Sequence, residues 1–226
     1  MSTLSDITKR LEELPEQKKL KTLTNDVQTL TTRLVDIRAK LTDASDRRGN
    51  AQIVFPEEAF NKTATAVRAA ARQAANLKGS LENDFSEVGS RATEEKVTRL
   101  GDRAKQAEAD LLKTWPDLLR HQLKSYEAIA EVATNLPGGA VLAEIMQRLQ
   151  QHVDKPPATK QAAETICEDL TALRESVENL GLEGEAGRFL IEAAKGTADP
   201  RDLFIEEIKK YFDEKGLWHV LAVTIK

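Results

Sequence analysis

The strongest pattern in the chain lies in residues 20–41, which read LKTLTNDVQTLTTRLVDIRAKL. Apolar side chains recur there at alternating spacings of three and four residues, the period of a coiled-coil seam. They are Leu20, Leu23, Val27, Leu30, Leu34, Ile37 and Leu41, and Ala44 continues the series. The pattern predicts a long amphipathic helix over residues 15–48. Because its many threonines lower the intrinsic helicity, this helix needs a packing partner.

Both ends of this helix carry boundary signals. The apolar phase breaks at Pro15, a residue that suits the first turn of a new helix, so residues 3–13 are expected to form a separate short helix. Residues 47–50 are expected to end the long helix. The next stretch, residues 52–55 (QIVF), is the one β-like run before the C-terminus.

A second long helix is predicted after Pro56, with a seam that is mostly alanine. The seam consists of Phe60, Ala64, Val67, Ala71, Ala74, Lys78, Leu81, Phe85 and Val88. Small side chains let a neighbouring helix approach closely, so we expect this helix to pack antiparallel against the first as a hairpin. Gly89 and Ser90 are expected to end it. A further boundary is expected at residues 114–116, which read TWP.

The loop at residues 135–139 (NLPGG) predicts a domain boundary. Residues 1–134 would form a long-helix region, and residues 135–226 a smaller helical region. A second heptad run follows in that region, and Gly181 is a natural cap at its end. Its seam consists of Ala163, Ile166, Leu170, Leu173, Val177 and Leu180.

The last part of the chain, residues 185–226, is interpreted as a docking module. Two short helices closed by Gly196 and Gly216 precede residues 217–225, which are rich in β-branched residues and predict a strand. One face of that strand carries Leu217, Leu221, Val223 and Ile225. A lone strand leaves its backbone hydrogen-bonding groups unsatisfied. It would therefore pair with residues 52–55, with the sheet edge of a partner protein, or with a second copy of the chain.

These segments together predict a mostly all-α fold. The expected architecture is an elongated antiparallel helical bundle or coiled-coil hairpin, with a small C-terminal helical module that ends in one β-strand. Composition agrees, because a chain with 4% aromatic and 31% charged residues is typical of bundles, whose narrow seams are lined by Leu, Ala and Val.

The sequence carries no recognisable active site. It has no Gly-rich phosphate loop with a lysine, and none of its three histidines has a second His or Cys at metal-ligand spacing. Cys167 stands beside a seam residue and is expected to be a buried or half-buried thiol rather than a nucleophile. We therefore predict no catalytic residue, no metal and no cofactor. A helical enzyme with a dispersed site is the disfavoured alternative.

Charge is distributed unevenly along the chain. Residues 1–124 hold 22 Lys and Arg against 19 Asp and Glu, whereas the rest of the chain is acidic. The first long helix carries a set of basic residues in its second half: Arg33, Arg38, Lys40, Arg47 and Arg48. They either contact nucleic-acid phosphates or flank the seam and set helix pairing. No secretory signal or membrane-spanning run is present, which predicts a cytoplasmic protein without membrane association.

The C-terminal module has a resemblance to a known class of proteins. It rests on about 40 residues, in the segments 189–196 (FLIEAAKG), 200–205 (PRDLFI) and 211–217 (YFDEKGL) and the predicted strand after them. These resemble C-terminal modules on accessory subunits of multi-gene bacterial defence systems that are encoded beside an ATPase of the SMC or related type. The resemblance implies a non-enzymatic subunit that docks on an ATPase acting on DNA in antiviral defence.

The leading functional prediction is a helical scaffold or assembly subunit. It would bind protein partners, or a second copy of itself, through its coiled-coil seams and its C-terminal strand. The alternative is an accessory subunit of a DNA-acting ATPase complex, which would meet nucleic acid through the larger complex. A seam has the same sequence whether its mate lies in the same chain or in another, so the choice between pairing in cis and in trans stays open.

Overall fold

The computed structural model describes residues 2–133, 136, 139–181 and 184–220. Within these residues it has seven α-helices, short 3₁₀ segments and no strand. The prediction of an all-α protein is confirmed. The helices are α1 (Ser2–Val54), α2 (Asn61–Asn83), α3 (Arg91–Ala133), α4 (Gly139–Gln151), α5 (Lys160–Leu180), α6 (Gly184–Ala194) and α7 (Glu206–Lys215).

Helix α1 continues through Pro15, where the sequence predicted a boundary. Proline lacks the N–H that would donate to the carbonyl of Leu11, so one helical hydrogen bond is missing there. Its φ is compatible with a helix, and α1 continues through it. The separate short helix expected over residues 3–13 is therefore wrong.

The predicted end of the long helix is also wrong. Gly49 lies inside α1, and the β-like residues up to Val54 form its last turn. Tertiary contacts hold this turn in place: Asn50 Nδ2 donates a hydrogen bond of 3.2 Å to the Pro157 carbonyl, and the ring of Phe55 packs edge-on against Trp115 at 5.5 Å. These contacts override the local β propensity.

Helix α3 likewise passes through residues 114–116, although Pro116 lies in its interior. Trp115 is fully buried, and its Nε1 donates a hydrogen bond of 2.9 Å to the His152 carbonyl. Burial of so large a side chain offsets the one helical hydrogen bond that Pro116 cannot make. The boundary predicted at residues 114–116 is therefore wrong, because the helix is continuous there.

The chain divides by its contacts into two compact units. Unit 1 consists of residues 1–49 and 57–111, and unit 2 of residues 50–56 and 112–226. Helices α1 and α3 each contribute residues to both units. The domain boundary predicted at residues 135–139 stays a prediction.

In unit 1, three helices lie side by side. Arg33 Nη2 donates to Thr98 Oγ1 at 3.1 Å, and further along both helices Ala44 lies in one buried cluster with Ala107. These contacts advance in the same direction along α1 and α3. Helix α2 runs the opposite way, since near its C-terminus Ser80 Oγ accepts a hydrogen bond of 2.9 Å from Lys96 Nζ at the start of α3. The wider prediction of an elongated bundle stays a prediction.

In unit 2, α4 packs against α5. In the second heptad seam, which lies on α5, Ala163, Ile166, Leu173 and Val177 are buried, and Leu170 and Leu180 are half-buried. Thr159 caps the start of α5 by accepting a hydrogen bond from the Ala162 N–H, and Gly181 ends it with φ of 67°. The predicted cap at Gly181 is confirmed.

The C-terminal module ends differently from the prediction. Gly216, at φ of 61°, closes α7, and Leu217–Val220 then form a 3₁₀ helix rather than the first part of a strand. Leu217 is buried in the module, and Trp218 Nε1 donates a hydrogen bond of 2.7 Å to Asp213 Oδ1, so both side chains fold back on α7. The strand prediction is wrong for these residues. Its other members, Leu221, Val223 and Ile225, lie outside the described residues.

Candidate functional site

The first heptad seam is only partly covered within unit 1. Leu20 is 63% exposed, and the seam residues from Leu23 to Leu41 are half-buried, whereas Ala44 is buried. Ile166 and Leu173 in the second seam are fully buried by comparison. The two seams have the same heptad spacing but differ in how much of each is covered by the described part of the chain.

An open groove of about 920 Å³ lies between α1 and α2 beside this half-covered seam. We call it the α1–α2 groove. Leu34, Ile37 and Leu41 form the apolar part of its α1 wall, and Leu100 of α3 contributes to the lining. The α2 wall is formed by Val67, Ala71, Ala74, Leu77, Lys78, Leu81 and Glu82.

Two small side chains, Ala71 and Ala74, leave space in the middle of the α2 wall. Ala71 is exposed and Ala74 is half-buried, while Phe60 and Ala64 are buried. The predicted alanine seam of α2 thus splits into a buried part and a part that faces the groove. A methyl group reaches too short a distance to fill the space beside the leucines of α1, so that space stays open.

Charged side chains stand along the rim of the groove. Arg38 and Asp46 belong to α1, and neither is paired with another side chain in the part of the chain that the structure describes. Eight residues of helix separate them by about 12 Å. On α2, Lys78 and Glu82 pair with each other at 3.6 Å.

The predicted nucleic-acid contacts do not form one cluster. Arg33 donates to Thr98, and Arg47 Nε donates to Asp43 at 2.9 Å. Arg48 has a buried Nε, whereas Arg38 and Lys40 are exposed. At 100° per residue, Arg38 and Lys40 project from different faces of α1. Direct phosphate contact stays a prediction.

An ion pair crosses the α4–α5 packing in unit 2. Arg148 Nη2 donates to Asp169 Oδ1 at 2.6 Å, and the Asp169 side chain is 10% exposed. The hydrogen bond to Asp169 raises the pKa of Arg148 above its ordinary value. The pair is structural, because it gives a buried carboxylate its partner between the two helices.

The C-terminal module is anchored to the end of α5. Tyr211 Oη donates a hydrogen bond of 2.8 Å to the Leu180 carbonyl, and Lys215 Nζ donates one of 3.2 Å to the Asn179 carbonyl.

Phe204 in the 3₁₀ segment Pro200–Phe204 is 78% exposed, the largest exposure among the big apolar side chains of the described residues.

The described residues contain no cluster of three or more His, Cys, Asp or Glu side chains that could hold a metal ion. Cys167 is exposed, so the expectation of a buried or half-buried thiol is wrong. It follows the buried Ile166 by one position, and one residue of helix turns the side chain by 100°, out of the packed face.

No helix in the described ranges has the length and apolarity needed to cross a bilayer.

The sequence identified the seam residues on both walls of the groove, but it predicted close packing of the two helices there rather than an open groove. Ala71 was predicted only as a close-packing seam position, and no sequence pattern singled out Asp46. The alanine-rich pattern of α2 was the available signal, because a helix face of small side chains leaves room as readily as it allows close approach.

Comparison of the chain with protein-family models, with curated proteins and with solved structures finds no match.

Proposed function

We propose that this protein is a non-enzymatic helical scaffold or assembly subunit that binds a partner protein. The supporting observation is the α1–α2 groove, where Leu34, Ile37 and Leu41 of a heptad seam remain half-covered. Burial of apolar surface releases about 25 cal/mol per Å², so a partner that covers the groove gains free energy. Contiguous apolar surface of this kind marks interaction sites in other proteins.

The proposal assigns no catalytic residue and no cofactor, and it places the protein in the cytoplasm. Its partner is a protein, or a second copy of the chain in a homo-oligomer. The C-terminal module supplies a second contact, for which the exposed Phe204 is the anchor. Strand addition through Leu221, Val223 and Ile225 remains part of the proposal.

One substitution blocks the groove while sparing the core. Ala71 is exposed on the groove wall, so Ala71→Arg places a long charged side chain into the opening without entering packed structure. Ala75→Arg is the matched control, since Ala75 is exposed on the same helix outside the groove lining. Both variants should keep the circular dichroism spectrum and melting temperature of the wild type.

The experiment compares three forms of the protein: wild type, Ala71→Arg and Ala75→Arg. Each is expressed with an affinity tag in its native host, and co-purifying proteins are quantified by mass spectrometry. A protein depleted in the Ala71→Arg sample alone is then purified and its binding reconstituted. Light scattering after size-exclusion chromatography tests self-association. A monomer with no groove-dependent partner would contradict the proposal.

A second candidate is an accessory subunit of a DNA-acting ATPase complex in bacterial antiviral defence. The surplus of basic residues in residues 1–124, with Arg38 and Lys40 exposed, favours it. Binding of duplex DNA by the purified protein or its complex should then weaken steeply with salt. Absence of binding at low salt, with and without the partner, would exclude direct contact with DNA.

A further inference from the structure

We propose that the α1–α2 groove binds one amphipathic helix of a partner protein. That helix carries a stripe of large aliphatic side chains, an acidic residue beside Arg38 and a basic residue beside Asp46. The inference rests on the proposed function, because it names the chemistry of the partner at the same surface.

The shape of the groove fits a single helix. Its α1 wall extends from Leu34 to Asp46, about 18 Å at 1.5 Å per residue, or a little over three turns. Helices pack with their axes 8–10 Å apart when the side chains of one lie between those of the other. A partner helix here would extend the packing of α1, α2 and α3 in unit 1 by one more helix.

The walls select the size of the partner's side chains. Ala71 and Ala74 leave a recess on α2, while Leu34, Ile37 and Leu41 supply an aliphatic surface on α1. Large residues such as leucine at heptad positions fill such a recess, whereas alanine would leave a void whose lining loses its contacts. The partner's stripe is therefore expected to be rich in leucine or isoleucine.

The rim supplies complementary charges. Lys78 and Glu82 already neutralise each other, but Arg38 and Asp46 present opposite charges about 12 Å apart along α1. A helix with opposite charges about eight residues apart satisfies both. A helix that carries two charges of the same sign would attract one of these side chains and repel the other.

A second copy of this chain is the less favourable occupant. Two concave grooves that face each other leave space between them, which does not give the complementarity of a two-fold interface. Insertion of a helix of one copy into the groove of the next is a heterologous contact, and unless its rotation closes a ring it generates open filaments.

The test uses three synthetic helices of 21 residues, labelled with fluorescein, that share leucines at heptad a and d positions on an alanine and glutamine background. They differ only at two rim positions eight residues apart, which carry Glu and Lys, Glu and Glu, or Lys and Lys. Fluorescence anisotropy measures their binding to the full-length protein at low salt. The wild type should bind the Glu/Lys helix about fivefold more tightly than either like-charged helix, because exposed ion pairs contribute modestly.

Rim variants should change the preference in a defined way. Arg38→Glu makes both rim charges acidic, so the Lys/Lys helix becomes the tightest ligand. Asp46→Lys makes both basic, so the Glu/Glu helix becomes the tightest. Ala71→Arg should weaken all three helices, and Ala75→Arg should bind them as the wild type does.

Two results would overturn the inference. One is that no helix binds a wild-type protein that is folded by circular dichroism. The other is binding that ignores the rim charges. A particle mass that rises with concentration and falls back in Ala71→Arg would identify a second copy as the occupant, which also overturns it. A reconstituted partner lost only in Ala71→Arg would still support the proposed function, so the two failures are distinguishable.

Discussion

At Gly139 the chain enters α4 so close to the end of α3 that a side chain would overlap the carbonyl oxygen of Ala133. That oxygen already accepts a hydrogen bond of 2.8 Å from the Leu136 N–H, so it is held in place. Gly139→Ala should therefore destabilise the protein by about 2 kcal/mol or more. Urea denaturation checks this. Gly101→Ala is the control, since its Cβ would make an ordinary contact of 3.5 Å with Ile37 and alanine favours the helix, so stability should not fall.

Tyr211 predicts a pH dependence of stability. Burial raises the pKa of its phenol above the ordinary value of 10.0. The unfolded chain therefore releases this proton at lower pH than the folded protein, so stability is retained below pH 10 and declines as pH rises through the folded pKa. Tyr211→Phe should cost about 1 kcal/mol near neutral pH, because the hydrogen bond to Leu180 is lost.

Above pH 10 the difference in unfolding free energy between wild type and Tyr211→Phe should shrink. Denaturant melts at several alkaline pH values measure it, and subtraction of the two proteins cancels the titration of their shared lysines. A difference that stays constant or grows with pH would contradict the assignment to Tyr211.

At the scale of the helix, two glycines lie in helical interiors with open space around them. Apart from their adjacent residues and their own helix backbone, Gly49 in α1 and Gly79 in α2 have no atom within 4 Å of where a Cβ would lie. Because alanine favours the helix over glycine, Gly49→Ala and Gly79→Ala should each stabilise the protein by about 0.5–1 kcal/mol. Thermal and urea melts check the sign. Unchanged or lowered stability would mean that these stretches are not helical in solution.

The sequence predicted which segments form helices more reliably than it predicted where each helix begins and ends. The heptad spacing of α5 and its glycine cap were predictable, because spacing and capping are local properties of consecutive residues. The last turn of α1 could not be predicted in this way. Ile53 and Val54 favour a strand locally, and the contacts that keep them helical involve residues such as Trp115 and Pro157, far away in sequence.

At the scale of the whole chain, the contacts define two units that share α1 and α3 as continuous helices. Each unit has its own buried residues, such as Val97 in unit 1 and Leu173 in unit 2. Leu173→Ala leaves a cavity that should cost about 2–5 kcal/mol. Hydrogen–deuterium exchange should then rise mainly in unit 2, and Val97→Ala should raise it mainly in unit 1. An equal rise throughout the chain in both variants would show that the units unfold together.

The sequence by itself determined that this protein is helical, which residues form the apolar stripes, and where several helices are capped, because these depend on the order of neighbouring residues. Only the tertiary structure decided which stripes are covered. Most of the stripe of α5 is buried, whereas the stripe of α1 stays half-covered beside a groove whose α2 wall includes Ala71 and Ala74. A heptad pattern records the spacing of apolar side chains along one helix, but coverage depends on the volume of the side chains that another helix brings to it.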